Sequence, residues 1–240
     1  MSNSSHRKSI LGTILAITVI GVGLMRCSDK IVDPGFVDIG YGYFPLDTGL
    51  YREYMVRLVS FSGEKSDTST WYYRDTQKYW FTDQAGDSVL VIVREKRIDT
   101  TEDWAPDSLI QVKRSSRRLI VTENNIPYIK MVFPVADSLQ WNGNAYNTLT
   151  GQDDYYYKNV GQSRAVLDTI YHNTLTVIEQ DIEDPIVNQV KKDEIYADGV
   201  GLIYREKIDY RFCQDQDCLG QGIIEYGSDY RQWILKYGYE

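Results

Sequence analysis

Val89-Leu90-Val91-Ile92-Val93-Arg94-Glu95-Lys96-Arg97 and Ile203-Tyr204-Arg205-Glu206-Lys207-Ile208-Asp209-Tyr210 decide the fold. In both, β-branched and aromatic residues grade into alternation with charged ones, the two-residue period of a half-buried strand. The same signal recurs from Leu50 onward, where short runs rich in Val, Ile, Tyr, Trp and Thr are separated by Gly, Asp, Asn and Ser. It predicts twelve strands, at 50–61, 70–81, 88–98, 108–113, 118–122, 126–133, 155–160, 174–180, 190–196, 202–212, 222–226 and 231–239. A helical period is nearly absent, and only 70–78 and 184–192 leave room for a short helix. The connections are too short for crossover helices, which predicts an antiparallel meander. So long a sheet must curl. The expectation is an all-β domain, mainly antiparallel: one strongly curved or barrel-like meander sheet with at most one or two short helices.

The N-terminus predicts export. Residues 1–26 contain no acid and place Arg7 and Lys8 ahead of an apolar run from Ile10 to Met25, interrupted only by Gly and Thr. That is a charged region followed by a hydrophobic one, as in a secretory signal. The run falls short of the roughly 20 apolar residues that span a bilayer as a helix. Instead of a small-residue cleavage site, Cys27 follows Leu24-Met25-Arg26. This resembles a lipoprotein box with its leucine at Leu24, although Arg26 stands where the box carries a small residue. The expected organisation is a signal peptide at 1–26, a lipidated Cys27 opening a Gly- and Pro-containing tether at 27–42, and a single β domain at 43–240.

Charge and cysteine usage narrow the partners. Removing 1–26 takes away Arg7, Lys8 and Arg26 and no acid, leaving 23 Lys and Arg against 34 Asp and Glu, a formal charge of −11. Polyanion binding runs on Lys and Arg neutralising phosphates, so nucleic acid is excluded as a partner. Lys113 to Arg118, the one dense basic stretch, reads as two strand ends and their turn. Cys27 accounts for the odd cysteine of three, and Cys213 and Cys218, five positions apart, are expected to bridge in an oxidising compartment. The anchor predicts a membrane partner and a place in the cell envelope. Ser28, in place of Asp after the cysteine, favours the outer membrane over the inner.

Three motifs carry a family resemblance: Tyr43-Phe44-Pro45-Leu46-Asp47-Thr48-Gly49; Phe133-Pro134-Val135 with Trp141-Asn142-Gly143-Asn144; and Glu194-Ile195-Tyr196-Ala197-Asp198-Gly199-Val200-Gly201-Leu202-Ile203. Over most of residues 43–212 the chain resembles lipoproteins of Bacteroidetes-type bacteria. Tyr51 stands where such sequences often have Trp. The resemblance implies a lipid-anchored envelope protein and brings no catalytic residues with it.

Catalytic chemistry has little to work with. His172 is the only histidine after residue 26 and reads as a turn residue before a strand. There is no nucleophile elbow, zinc spacing or EF-hand loop, so no catalytic residue, metal site or cofactor is assigned. Gly199-Val200-Gly201 lacks the rest of a dinucleotide fingerprint and reads as a turn with positive φ. The carboxylates at Asp153-Asp154, Asp181 with Glu183 and Asp184, Asp193-Glu194, and Asp215 with Asp217 read as solvated turns. Aromatics are the remaining signal, clustered as Trp71-Tyr72-Tyr73, Tyr79-Trp80-Phe81 and Tyr155-Tyr156-Tyr157. Three adjacent aromatics in a strand point to both faces, which makes Trp71, Trp80 and Tyr156 candidate ligand-binding residues. The favoured reading is a non-enzymatic envelope module that binds a protein or an amphipathic or glycan ligand. Its alternatives are a glycan-acting hydrolase using a carboxylate pair, and a lipid or lipoprotein carrier with an open apolar sheet face. Two Asp or Glu facing each other in a cleft beside Trp or Tyr would favour the hydrolase.

Overall fold

A computed structural model of the chain describes residues 38–63, 65–148, 154–184 and 186–240. The expected signal peptide at 1–26, Cys27 and residues 28–37 lie outside them. The strands are β1 (Leu50–Ser62), β2 (Lys65–Thr82), β3 (Ser88–Arg97), β4 (Ala105–Arg114), β5 (Arg118–Glu123), β6 (Ile126–Val132), β7 (Gln140–Asn142), β8 (Asp154–Val166), β9 (Thr169–Asp184), β10 (Asn188–Ala197), β11 (Gly201–Phe212) and β12 (Ile224–Tyr239). Apart from one 3-10 turn at Tyr41–Tyr43, the described residues form no helix. Both stretches with room for a helix are extended: 70–78 lies inside β2, and 184–192 runs from the end of β9 into β10.

All twelve strands belong to one sheet, in the order β6-β5-β4-β3-β2-β1-β12-β11-β10-β9-β8-β7. Every pairing is antiparallel, and β1 joins β12 along its whole length, from Leu50 opposite Tyr239 to Ser62 opposite Tyr226. The sheet is a meander curled into a barrel, open as a ladder only between β6 and β7. That seam is closed by other groups. The Ile129 amide donates to the Gly143 carbonyl at 2.9 Å, and the Trp141 indole N–H donates to the Ile129 carbonyl at 2.7 Å. The Tyr157 hydroxyl accepts from the Val132 amide at 2.9 Å and donates to its carbonyl at 2.8 Å. Asn147 donates to the Pro127 carbonyl at 2.9 Å, and Pro127 has no amide to leave bare. Side chains thus take the place of a strand at an edge that would otherwise invite pairing with another chain.

One half of the barrel interior is apolar: Leu90, Ile92, Ile110, Val112, Leu119, Val121, Met131, Leu175, Val177 and Leu202 pack with Tyr155 and Tyr157. Residues 39–49 plug the end where β1 begins and β2 ends. Tyr43 and Phe44 enter the core, Gln77 donates to the Pro45 carbonyl, and Val135 and Gly199 donate to the carbonyls of Ile39 and Gly42. The β10–β11 turn is built on Gly199 and Gly201, with φ of 73° and 95°. At Gly201 a Cβ would stand 2.7 Å from the Arg52 guanidinium, so glycine is required there both for φ and for space.

The β8–β9 hairpin turns a corner. Asn159 and Gly161 adopt φ of 58° and 78°, and the register with β9 slips between Lys158 and Gln162, as at a bulge that re-aims a strand. Its outer half packs Val166 and Tyr171 against Ile195, Tyr204 and Trp233, forming a second, smaller core. Ile195, Tyr204 and Trp233 are successive register partners across β10, β11 and β12 and so share one face. Glu194, Arg205 and Gln232, one residue away on each strand, share the other, which faces the barrel interior.

Candidate functional site

The folded-over hairpin leaves a groove of about 550 Å³ on the outer face of the sheet, within the range of ligand pockets. Its floor is Asp193, Ile195, Tyr204, Glu206 and Trp233, and the hairpin residues Arg164 to Leu167 form its wall. Asp193 and Glu206 are direct register partners, so two carboxylates face each other across β10 and β11. Lys191, two residues before Asp193, reaches between them, 3.5 Å from Asp193 Oδ2 and 3.2 Å from Glu206 Oε2. The Tyr204 hydroxyl donates to Glu206 Oε2 at 3.0 Å. Asp193 Oδ1 is different: it is buried and meets no donor, on a residue only 7% exposed. Burial raises this carboxyl, and Glu206 adds to the effect against Lys191 and Arg164, leaving it at about 6. An acceptor stripped of water and given no partner is a costly element of a native structure. Tyr204 and Trp233 lie 6.1 Å apart between ring centres, on either side of the register pairing.

The same strands carry a second set of charges inward. Lys130 on β6 is ion-paired with Glu179 on β9 and stands 2.9 Å from Glu194 Oε1 on β10. Arg205 on β11 lies 3.0 Å from Glu123 Oε1 and 2.7 Å from Glu194 Oε1, although its Nε–H is not aimed at the latter oxygen. Arg94 grips Asp75 through two bonds of 2.7 Å. Burial alone would raise Glu123 and Glu194, but Arg205 and Lys130 hold both well below the usual carboxylate range. Two small cavities adjoin this network, of about 30 and 160 Å³, both lined with charged side chains. This weighs against a carrier with an open apolar sheet face. Among the described residues, the two cavities beside these ion pairs are smaller than the 300 Å³ or more that ligand pockets occupy.

No protein-family model matches the chain, and a search of curated proteins found no match. Among solved structures it is similar to a protein of Bacteroides fragilis NCTC 9343, described as exported and of YmcC-like fold. That likeness has a TM-score of 0.40 at 9% identity, over 81% of this chain and 98% of the other. It is also similar to a protein of Parabacteroides distasonis ATCC 8503 described as a lipoprotein, with a TM-score of 0.38 at 8% identity over 82% and 98%. Likenesses this distant say nothing of ligand or activity.

The three aromatics singled out from sequence do not converge. Trp71 packs edge-on against Tyr73, with the Lys96 ammonium 4.8 Å from its ring centre. Trp80 lies toward the other end of β2, 43% exposed. Tyr156 is half-buried on β8, its neighbours Tyr155 and Tyr157 both turned into the core. Cys213 and Cys218 are bonded, their Cα atoms 5.9 Å apart. His172 is exposed within β9, not in a turn before it, with Nδ1 3.1 Å from Ser163 Oγ. Among the described residues no group of three or more His, Cys, Asp or Glu is placed to hold a metal ion, and no helix is long and apolar enough to cross a membrane.

The groove itself went unread. Asp193-Glu194 read as a solvated turn, yet it lies mid-strand and both residues are buried. The available signal was its place within the strand expected at 190–196, where alternation sends Asp193 and Glu194 to opposite faces of the sheet.

Proposed function

We propose that this is a lipid-anchored protein of the bacterial cell envelope whose barrel binds a neutral, hydroxyl-rich ligand, a segment of glycan, in the groove over β10–β12. The anchor rests on the N-terminal signal and Cys27. The ligand class rests on one observation, the buried, donor-less Oδ1 of Asp193 in a carboxylate that lines the groove beside Tyr204 and Trp233. A sugar hydroxyl supplies the missing donor, and an aromatic ring packs against the apolar face of a pyranose. Arg164 and Lys191 balance Asp193 and Glu206 within the groove, which favours a neutral ligand over a charged one. The test is calorimetric titration of the purified chain with hexaoses of maltose, cellulose, chitin and xylan type. At least one is expected to bind, with affinity falling at least about tenfold in Asp193→Asn and in Trp233→Ala, each losing one buried contact. Silence across the panel, or full affinity in Asp193→Asn, refutes the groove.

The facing pair Asp193 and Glu206, with Asp193 titrating at about 6, favours a second reading as a glycan hydrolase. Lys191 weighs against it. Its ammonium occupies the space between the carboxylates, where the scissile oxygen of a glycoside belongs. Recovery of the bound hexaose at full length supports the binding module; shortened products support the hydrolase.

A further inference from the structure

On the inward side of the same strands we propose a second binding site, for one small monoanionic oxyanion, a carboxylate or inorganic phosphate, held between Lys192 and Lys207. The two lysines are direct register partners on β10 and β11. Like charges placed directly opposite each other destabilise a sheet, so this pairing needs a compensating group. Both residues line the cavity of about 160 Å³, together with Asn124, Tyr128 and Asn144. That volume is room for several water-sized groups.

The carboxylates nearby are already engaged. Glu179 is taken by Lys130, Glu123 by Arg205, and Glu194 by both. Among the described residues no carboxylate lies within 4.0 Å of either Lys192 or Lys207, and the Lys207 ammonium stands 6.0 Å from the centre of the Tyr230 ring. Lys130, Lys192, Arg205 and Lys207 against Glu123, Glu179 and Glu194 leave one positive charge in excess. That excess sets the ligand as a monoanion. Burial, with Arg205 and Lys130 close by, lowers the Lys207 ammonium, a pressure that an anion between the two lysines relieves. A neutral ligand relieves nothing. The site stands apart from the outer groove, since Lys192 and Lys207 face inward where Asp193 and Glu206 face outward.

The experiment is thermal melting of the full chain at pH 6 in 100 mM sodium acetate or sodium phosphate, each compared with sodium chloride at equal ionic strength. For a millimolar site the melting temperature should rise about 5 to 10 °C above the chloride control. A rise with both probes marks a general oxyanion site, and a rise with one alone assigns the carboxylate or the phosphate. In Lys192→Met and Lys207→Met the rise should disappear, while in chloride each variant should melt at or above wild type because the facing charges are gone. Lys207→Arg keeps the charge and should keep most of the rise. Should one Met variant fail to fold, the other and the Arg variant read the same site. Chloride that stabilises as well as the oxyanions, or Met variants that retain the whole shift, would overturn the proposal.

Discussion

Asp193 and Glu194 are neighbours in the chain and strangers in the fold. A strand turns successive side chains to opposite faces, so one carboxylate opens on the outer groove while the other joins Lys130 and Arg205 inside. Adjacency in sequence suggested one shared solvated environment, and the strand gives them two buried ones. Their titrations run in opposite directions. Asp193 sits at about 6, above its unfolded value of about 3.9. Its protonated form is the one folding favours, so the stability it contributes is fully present below about pH 4 and is lost as pH rises through 6. Glu194 is held low by Arg205 and Lys130 against its burial, so its contribution is present above the ordinary glutamate range and is lost on acidification. Asp193→Asn should therefore melt close to wild type at pH 4 and be more stable by about 1 to 3 kcal/mol at pH 7.5. Chemical denaturation of both proteins at the two pH values measures this, and a gap independent of pH would show that Asp193 does not titrate as described.

Among the elements, alternation located most strands, and the departures have physical causes. The stretch Gly227-Ser228-Asp229 reads as a turn, yet β12 runs through it. Gly227 at φ 144° lies against the Asp209 carbonyl, where a Cβ would come within 2.0 Å, so glycine serves close approach and not chain reversal. Residues 65–69 carry no apolar pattern and still form strand, because exposed side chains on both faces leave only the backbone ladder to β1 to define them. β7 was missed because three residues hold no period; it exists through its pairing with β8. That short strand is also where the seam is made. Tyr157→Phe removes the hydroxyl that satisfies both the amide and the carbonyl of Val132. Two edge groups left bare should cost about 1 to 3 kcal/mol. Hydrogen exchange should report the loss at Val132 and Ile129 while β1 and β12 keep their protection; uniform loss across the sheet would mean that the seam is not a separate unit.

For the whole molecule, the curled antiparallel meander was legible, since short connections and strand number suffice for it. Which strands meet where the sheet closes was not, because closure depends on tilt and stagger, and no local pattern records those. The proposed membrane anchor likewise belongs to the full chain, at Cys27, outside the described residues. Cys27→Ala should abolish metabolic labelling by a fatty acid and leave an unprocessed precursor on gels, and labelling equal to wild type would end the lipoprotein reading. The pairing of β1 with β12 has one more consequence, for the time course of folding. Strands β1 to β6 and β7 to β12 can each zip up from neighbouring hairpins, but these halves join through the two strands most distant in sequence. Such non-local contacts form slowly. Until the last strand has been made, β1 presents a bare edge, and the half-sheet it belongs to is open to pairing with other chains. A chain emerging from its N-terminal end therefore spends nearly its whole synthesis without the partner of its first strand, and escort by a holdase until release is the step on which its yield should depend.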